Sequence, residues 1–176
     1  MNQIRQPNAP SCFQLFKPHL EQWGIIATEK EFLQFWFSGE TINEEILNYT
    51  TDLKKQGFKI FFLSNNFKER TTYYRKNFPE LFKTVDKYYF SWETGYIKPD
   101  TKAWLNILKE HSLEPQDCLY FDDSEKNVTI AKNIGIHTLV FTNLQTTKQA
   151  IEKLSPKQNS SSILPNYSPA TRNKIL

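Results

Sequence analysis

Aspartate is missing from the first 51 residues of this 176-residue chain, and the earliest is Asp52. Cysteine is nearly missing as well: Cys12 and Cys118 are the whole supply. One lies in an irregular N-terminal stretch and the other in the apolar run CLYF. They make no disulfide framework, which points to a reducing compartment. No apolar run approaches the ~20 residues of a membrane span, so no membrane partner is expected. The opening MNQIRQPNAP lacks the apolar centre of a secretory leader, and the expected location is the cytoplasm. Charge of one sign is not in excess. Lys and Arg number 22 against 19 Asp and Glu, for a net +3, and the signs are interspersed. That balance speaks against nucleic acid as a partner.

Aromatics, by contrast, are plentiful at 15%, with 14 Phe. A chain of this length and composition can bury a core without staples. Residues 1–12 read as an irregular lead-in. Phe13–Phe37 has helical periodicity, interrupted at Pro18 and closed at Gly24. Thr28 and Glu31 then form a capping-box signature, with Phe32, Phe35 and Trp36 on one face. Thr41–Gln56 reads as a helix whose apolar face holds Ile42, Ile46, Leu47 and Leu53, stopped by Gly57.

Beyond it, apolar runs alternate with helical segments. FKIFFL (58–63), VDKYYFS (85–91), CLYFDD (118–123) and HTLVFT (137–142) read as strands. Residues 67–77, Asp100–Ser112 and Glu125–Ile134 read as helices, the second with Ala103, Trp104, Ile107 and Leu108 inward. GYIKP (95–99) is a loop between Gly and Pro. Continuous apolar strands alternating with helices imply an α/β fold, a three-layer Rossmann-like parallel sheet with helices on both faces. The expected divisions are an N-terminal region over 1–40, an α/β core over 41–153, and a tail over 154–176. The tail is rich in Ser, Asn and Pro and is expected to lack regular structure.

In a parallel sheet ligands gather at the carboxyl ends of the strands. Three polar clusters fall there: Ser64 with Asn65, then Lys98, then Asp122 with Asp123. Taken singly, each has an ordinary explanation. Ser64-Asn65-Asn66 suits a turn, Lys98 a solvated loop, and Asp122-Asp123-Ser124 the start of a helix. Taken together at successive strand ends, their chemistry is complementary. A hydroxyl and backbone N–H groups can hold phosphate oxygens. A lysine is a compact cation for the phosphate charge. Paired carboxylates offer the hard oxygens that Mg²⁺ takes.

FFLSNN, GYIKPD and CLYFDDSEKN, followed by AKNIGIHTLVFTN, resemble the second, third and fourth motifs of the haloacid dehalogenase superfamily. Ser64 to Lys98 spans 34 residues and Lys98 to Asp122 spans 24, spacings that fit that family. The match covers about residues 41–153 and is similar to the branch with a helical cap, of which residues 1–40 would hold a remnant. The resemblance implies a haloacid-dehalogenase-like fold and Mg²⁺-dependent hydrolysis of a small phosphomonoester, so the expected partner is a small phosphorylated metabolite. It also implies roles. Ser64 and Asn65 would bind the phosphoryl group, and Lys98 would neutralise the phosphate and the nucleophile. Asp122 and Asp123 would serve the metal, and Asn127 would support the loop.

The absence noted at the outset now matters. The family's first motif is an apolar strand ending in Asp-x-Asp, whose first Asp is the nucleophile and must precede Ser64. Asp52 falls in the helix leading into FKIFFL, and Glu29 in WGIIATEKE starts a helix. The chain as given is therefore expected to be inactive. Two explanations stand: a truncated phosphatase, or a non-catalytic descendant that binds phosphate, metal or a partner. Without that strand two neighbouring strand edges would be exposed, leaving self-association or a partner strand to fill the gap. A receiver-like fold shares these residue types, but its acidic pair comes first in the chain, and here it comes last.

Overall fold

In a computed structural model, the description covers residues 2–154 together with Lys174 and Ile175. A 3₁₀ turn at Asn2–Arg5 precedes α1 (Cys12–Gln22), α2 (Glu29–Trp36) and α3 (Glu44–Lys55). Then come β1 (Lys59–Ser64), α4 (Lys68–Asn77), α5 (Pro79–Lys83), β2 (Lys87–Phe90), α6 (Ser91–Thr94) and α7 (Lys102–His111). A second 3₁₀ turn leads to β3 (Cys118–Asp122), α8 (Glu125–Asn133), β4 (His137–Val140) and α9 (Leu144–Leu154). The last element is β5 (Lys174–Ile175). The α/β class expected from the alternating pattern is the class observed.

The sheet has the order β2-β1-β5-β3-β4, and every neighbouring pair is parallel. Successive strand residues point to opposite faces, and the core divides accordingly. Phe61, Tyr89, Cys118 and Tyr120 pack with Trp104, Ile107 and Leu108 of α7 and Ala131 of α8 on one face. Ile60 and Leu119 pack with Leu53 of α3 and Ile151 of α9 on the other. Trp104 is fully buried and meets Tyr120 edge-on, with ring centroids 5.5 Å apart.

The N-terminal helices form a separate cluster. Phe16 of α1 packs on Phe32 and Trp36 of α2, at centroid distances of 5.9 and 4.8 Å. Both helices open with capping boxes, Ser11 with Gln14 and Thr28 with Glu31. Pro18 does not interrupt α1; it lies inside it. The ring costs one backbone hydrogen bond, but the aromatic packing on either side carries the helix through. Cys12, expected in irregular chain, is buried at the first turn of α1, and its N–H donates to Glu69 Oε1 of α4 at 3.2 Å. Stacked Phe37 and Tyr73 (4.9 Å) and the Arg70–Glu40 ion pair (2.7 Å) also fasten this region to α4.

Residues 155–173 and 176 of the expected tail lie outside the described residues. Lys174 and Ile175 depart from the expectation of irregular chain: they form β5, between β1 and β3. Composition gave no sign of this, because two residues carry no periodicity and the pairing is made by backbone groups.

Candidate active site

The site is built at the carboxyl ends of β1 and β3, and the loop after α6 closes it. Asn65 fastens that loop to β1. Its Nδ2 donates to the Lys98 carbonyl and its Oδ1 accepts from the Lys98 N–H, both at 2.8 Å. The turn below is locked by Ser91, whose hydroxyl donates to the Asn66 carbonyl at 3.0 Å and accepts from the Asn66 N–H at 3.1 Å. Lys98 is thereby aimed inward. Its Nζ donates to the Leu63 carbonyl on β1 at 3.0 Å and to Asp122 Oδ2 on β3 at 2.6 Å. These strands are not neighbours, so the ammonium spans the mouth of the gap that β5 enters from below. The ion pair is deeply buried, with side-chain exposures of 10% and 5%.

Every oxygen of Asp122 is engaged. Oδ1 accepts from the Ser124 N–H at 2.9 Å and from Asn127 Nδ2 at 3.0 Å. Oδ2 accepts from Lys98 and from the Tyr120 hydroxyl. Burial alone would raise this carboxyl's pKa, but the donors from Lys98 and Tyr120 outweigh it and hold the group at about 2. The same contact works in reverse on Tyr120. Burial, then the hydrogen bond to Asp122, pushes its phenol well above the usual range. Ser124 also caps α8, accepting from the Asn127 N–H at 3.4 Å, so the loop after β3 and the helix start are one unit.

The sequence-derived residues thus divide by position. Lys98, Asp122 and Asn127 meet directly, and Asn65 holds the Lys98 backbone with both ends of its amide. Ser64 ends β1, level with Phe90 of β2. Asp123 is exposed and shares the lining of a cleft of about 500 Å³ with Asp122. Tyr120 was not singled out in the sequence, where it reads as one more apolar strand residue. The available signal was its spacing: two places before Asp122, it shares that residue's face of the sheet. Glu29 and Asp52 stay where the sequence put them, at the start of α2 and inside α3.

Asp122 and Asp123 are hard oxygen donors of the kind Mg²⁺ takes, and Mg²⁺ commonly keeps waters and substrate oxygens in its remaining positions. The pair fits that ion in kind. It is short in number, since no group of three acidic, His or Cys side chains comes together among the described residues. None of the described helices is long and apolar enough to cross a membrane.

A parallel α/β sheet with Lys and Asp converging at its strand ends defines a Rossmann-like core with its candidate site at the carboxyl edge. Residues 13–135 match the haloacid dehalogenase-like hydrolase family, and the chain belongs to it. It is 24% identical over 131 residues to the rat (Rattus norvegicus) protein "Bifunctional epoxide hydrolase 2", covering 73% of this chain and 24% of that protein. It is 32% identical over 53 residues to "D-ribitol-5-phosphate phosphatase" of Bacteroides thetaiotaomicron, covering 30% of this chain and 26% of that one. The chain therefore spans about a quarter of the length of these relatives. Among solved structures, a haloacid dehalogenase-family enzyme of B. thetaiotaomicron in complex with magnesium and inorganic phosphate superposes with a TM-score of 0.67 at 22% identity. That match covers 76% of this chain and 71% of that one and shows the shared fold.

Proposed function

We infer that this chain carries the phosphate- and metal-binding half of a phosphomonoester hydrolase, and that it does not turn over alone. The observation that carries the reading is the buried Lys98–Asp122 pair at 2.6 Å, spanning two strand ends beside Ser64. A buried pair costs desolvation and is weak evidence of stability, so its placement at the ligand-binding edge favours a functional role. In this reading Lys98 meets phosphate charge, the Ser64 hydroxyl donates to a phosphoryl oxygen, and Asn65 keeps the Lys98 loop in place. Asp122, with Asp123 at its side, would hold Mg²⁺, which when bound would offset the charge on the phosphoryl oxygens. Asn127 and Ser124 hold the Asp122 carboxylate in orientation.

No carboxylate precedes Ser64 at a strand end among the described residues, so the covalent half-reaction has no acceptor. Removing a nucleophile costs about 10⁶-fold in the worked case of a serine protease. The test is hydrolysis of a generic phosphomonoester with and without magnesium. The chain as given should stay at background. Adding an N-terminal apolar strand ending in Asp-x-Asp, with its cap helices, should produce magnesium-dependent turnover that Lys98→Ala or Asp122→Ala removes. Robust turnover by the chain as given, lost in Asp122→Ala, would defeat the reading and point to a substitute acceptor such as Glu29.

A second reading, a module that binds phosphate or a partner without catalysis, is favoured by β5 occupying the sheet position next to the site. Under it, the strand addition would leave the protein inactive while inorganic phosphate still binds.

A further inference from the structure

The α1–α2 hairpin keeps an apolar groove of about 540 Å³ open to solvent, lined chiefly by Phe16, Leu20, Trp23, Phe32, Phe35 and Trp36. Every residue of its lining belongs to α1, α2 or the connection between them, so no other described element covers it. The hairpin is fastened to α4 elsewhere, through Cys12 and Phe37. The bare surface is concentrated here. Among the described residues five large apolar side chains are exposed, and four of them, Trp23, Ile25, Ile26 and Phe35, lie on this hairpin. Phe35 lines the groove yet stands 81% exposed, and Ile26, next in the chain to the lining residue Ile25, is wholly exposed. An aromatic side chain carries about 150–250 Å², so the four together leave on the order of 600 Å² of apolar surface bare.

We propose that this groove is a homodimer interface, in which two α1–α2 hairpins meet about a two-fold axis and Phe35 of each copy seats in the groove of the other. Three observations choose a second copy as the occupant. The first is area. About 600 Å² is the upper end of the largest apolar patch on a typical monomer, and with a polar rim it reaches the ~600–800 Å² that each copy of a stable dimer buries. The second is shape. A two-fold contact uses the same patch on both copies, so that patch must carry its own complement. This one does, with a groove and protruding apolar side chains side by side. The third is charge. Residues 11–37 hold Lys17 and Lys30 against Glu21, Glu29 and Glu31, so two copies meet with little net repulsion. Lys17 and Glu21 are both exposed and stand 3.8 Å apart, a rim pair of both signs.

No residue of the Lys98–Asp122 site takes part, so the proposal stands apart from the phosphatase reading. The test is the mass of the full chain by sedimentation velocity and light scattering. An interface at the lower end of the size range associates in the micromolar regime, so the chain should be a dimer at about 100 µM and a monomer at about 1 µM. The mass should rise from 20.8 kDa to twice that value. Phe35→Lys places a charge in the groove of each copy. The two-fold axis uses it twice, so the dissociation constant should rise by about tenfold per copy, roughly a hundredfold together. Ile26→Lys should act in the same direction. At about 1 µM, where the chain is monomeric, both variants should keep the circular dichroism of the unchanged chain, because both side chains are exposed.

Should both variants fail to fold, tryptophan emission of the chain itself carries the test. Trp23 lines the groove and is 65% exposed, so emission should shift to the blue as concentration rises, and Trp23→Phe should remove most of that shift. A monomer at about 100 µM would overturn the proposal and leave the groove to a foreign helix. A dimer that neither lysine variant weakens would overturn it too, by placing the contact elsewhere, as at a sheet edge. Mass that keeps growing beyond two copies would do the same, because a two-fold contact closes.

Discussion

At the scale of single residues, the site is a carboxylate held by four donors. Removing one partner leaves the others to a buried, uncompensated charge, which commonly costs 3–5 kcal/mol for a buried ion pair. Lys98→Ala should therefore lower unfolding stability by about that much in urea titrations, well beyond the effect of a surface lysine. Tyr120→Phe deletes one donor to a charged group and should cost about 1–3 kcal/mol while leaving the fold unchanged. The folded carboxyl of Asp122 sits at about 2, against 3.8 for the free side chain. Its contribution is therefore fully present above about pH 4 and lost as the pH falls towards 2, an effect on the order of 2 kcal/mol. Urea midpoints measured between pH 5 and 2 should fall less steeply in Asp122→Asn. An identical slope would show that Asp122 is not the group responsible.

At the scale of elements, the α1–α2 hairpin shows how a helix pair is specified and what it leaves uncovered. Thr28 accepts from the Glu31 N–H and Glu31 accepts from the Thr28 N–H, so two otherwise unpaired donors are satisfied together. Thr28→Ala should cost about 1 kcal/mol, read from thermal unfolding by circular dichroism. That box was legible in the sequence because both partners are local. The Ser11–Gln14 box has the same signature and was hidden only by the two prolines near it. The buried side of α2 was half legible. Phe32, Phe35 and Trp36 share a periodic face, yet Phe32 is 7% exposed and Phe35 81%. Periodicity gives a face, and only the position of α1 decides which part of it is covered. Phe32→Ala should thus cost about 3–5 kcal/mol, and Phe35→Lys should stay within about 0.5 kcal/mol of the unchanged chain.

At the scale of the whole molecule, the sheet is held together across its centre by two rungs of β5. A six-residue strand in that place would add several ladder hydrogen bonds, each worth about 1 kcal/mol net. A chain given an added N-terminal strand in that place should therefore melt at least about 5 °C higher in calorimetry than the chain as given. An unchanged melting temperature would mean that the added strand does not enter the sheet. This prediction is independent of turnover, so it tests the architecture even if the site proves non-catalytic.

What the sequence by itself determined are the things that repeat or stand next to each other in the chain. Alternating apolar strands and amphipathic helices require the parallel α/β class, because strands buried on both faces need helices to cover them. Three polar clusters at successive strand ends required a shared edge, and Lys98, Asp122 and Asn127 meet there. The tertiary structure alone decided the rest. The hydrogen bond of Tyr120 to Asp122, the bridge of Lys98 to a β1 carbonyl, and the use of Asn65 as a clasp depend on strand order and side-chain direction. The placement of Lys174 and Ile175 between β1 and β3 is the clearest case. Backbone pairing is nearly indifferent to side-chain identity, so a short strand joining a sheet across a long sequence separation leaves no mark in the residues that make it.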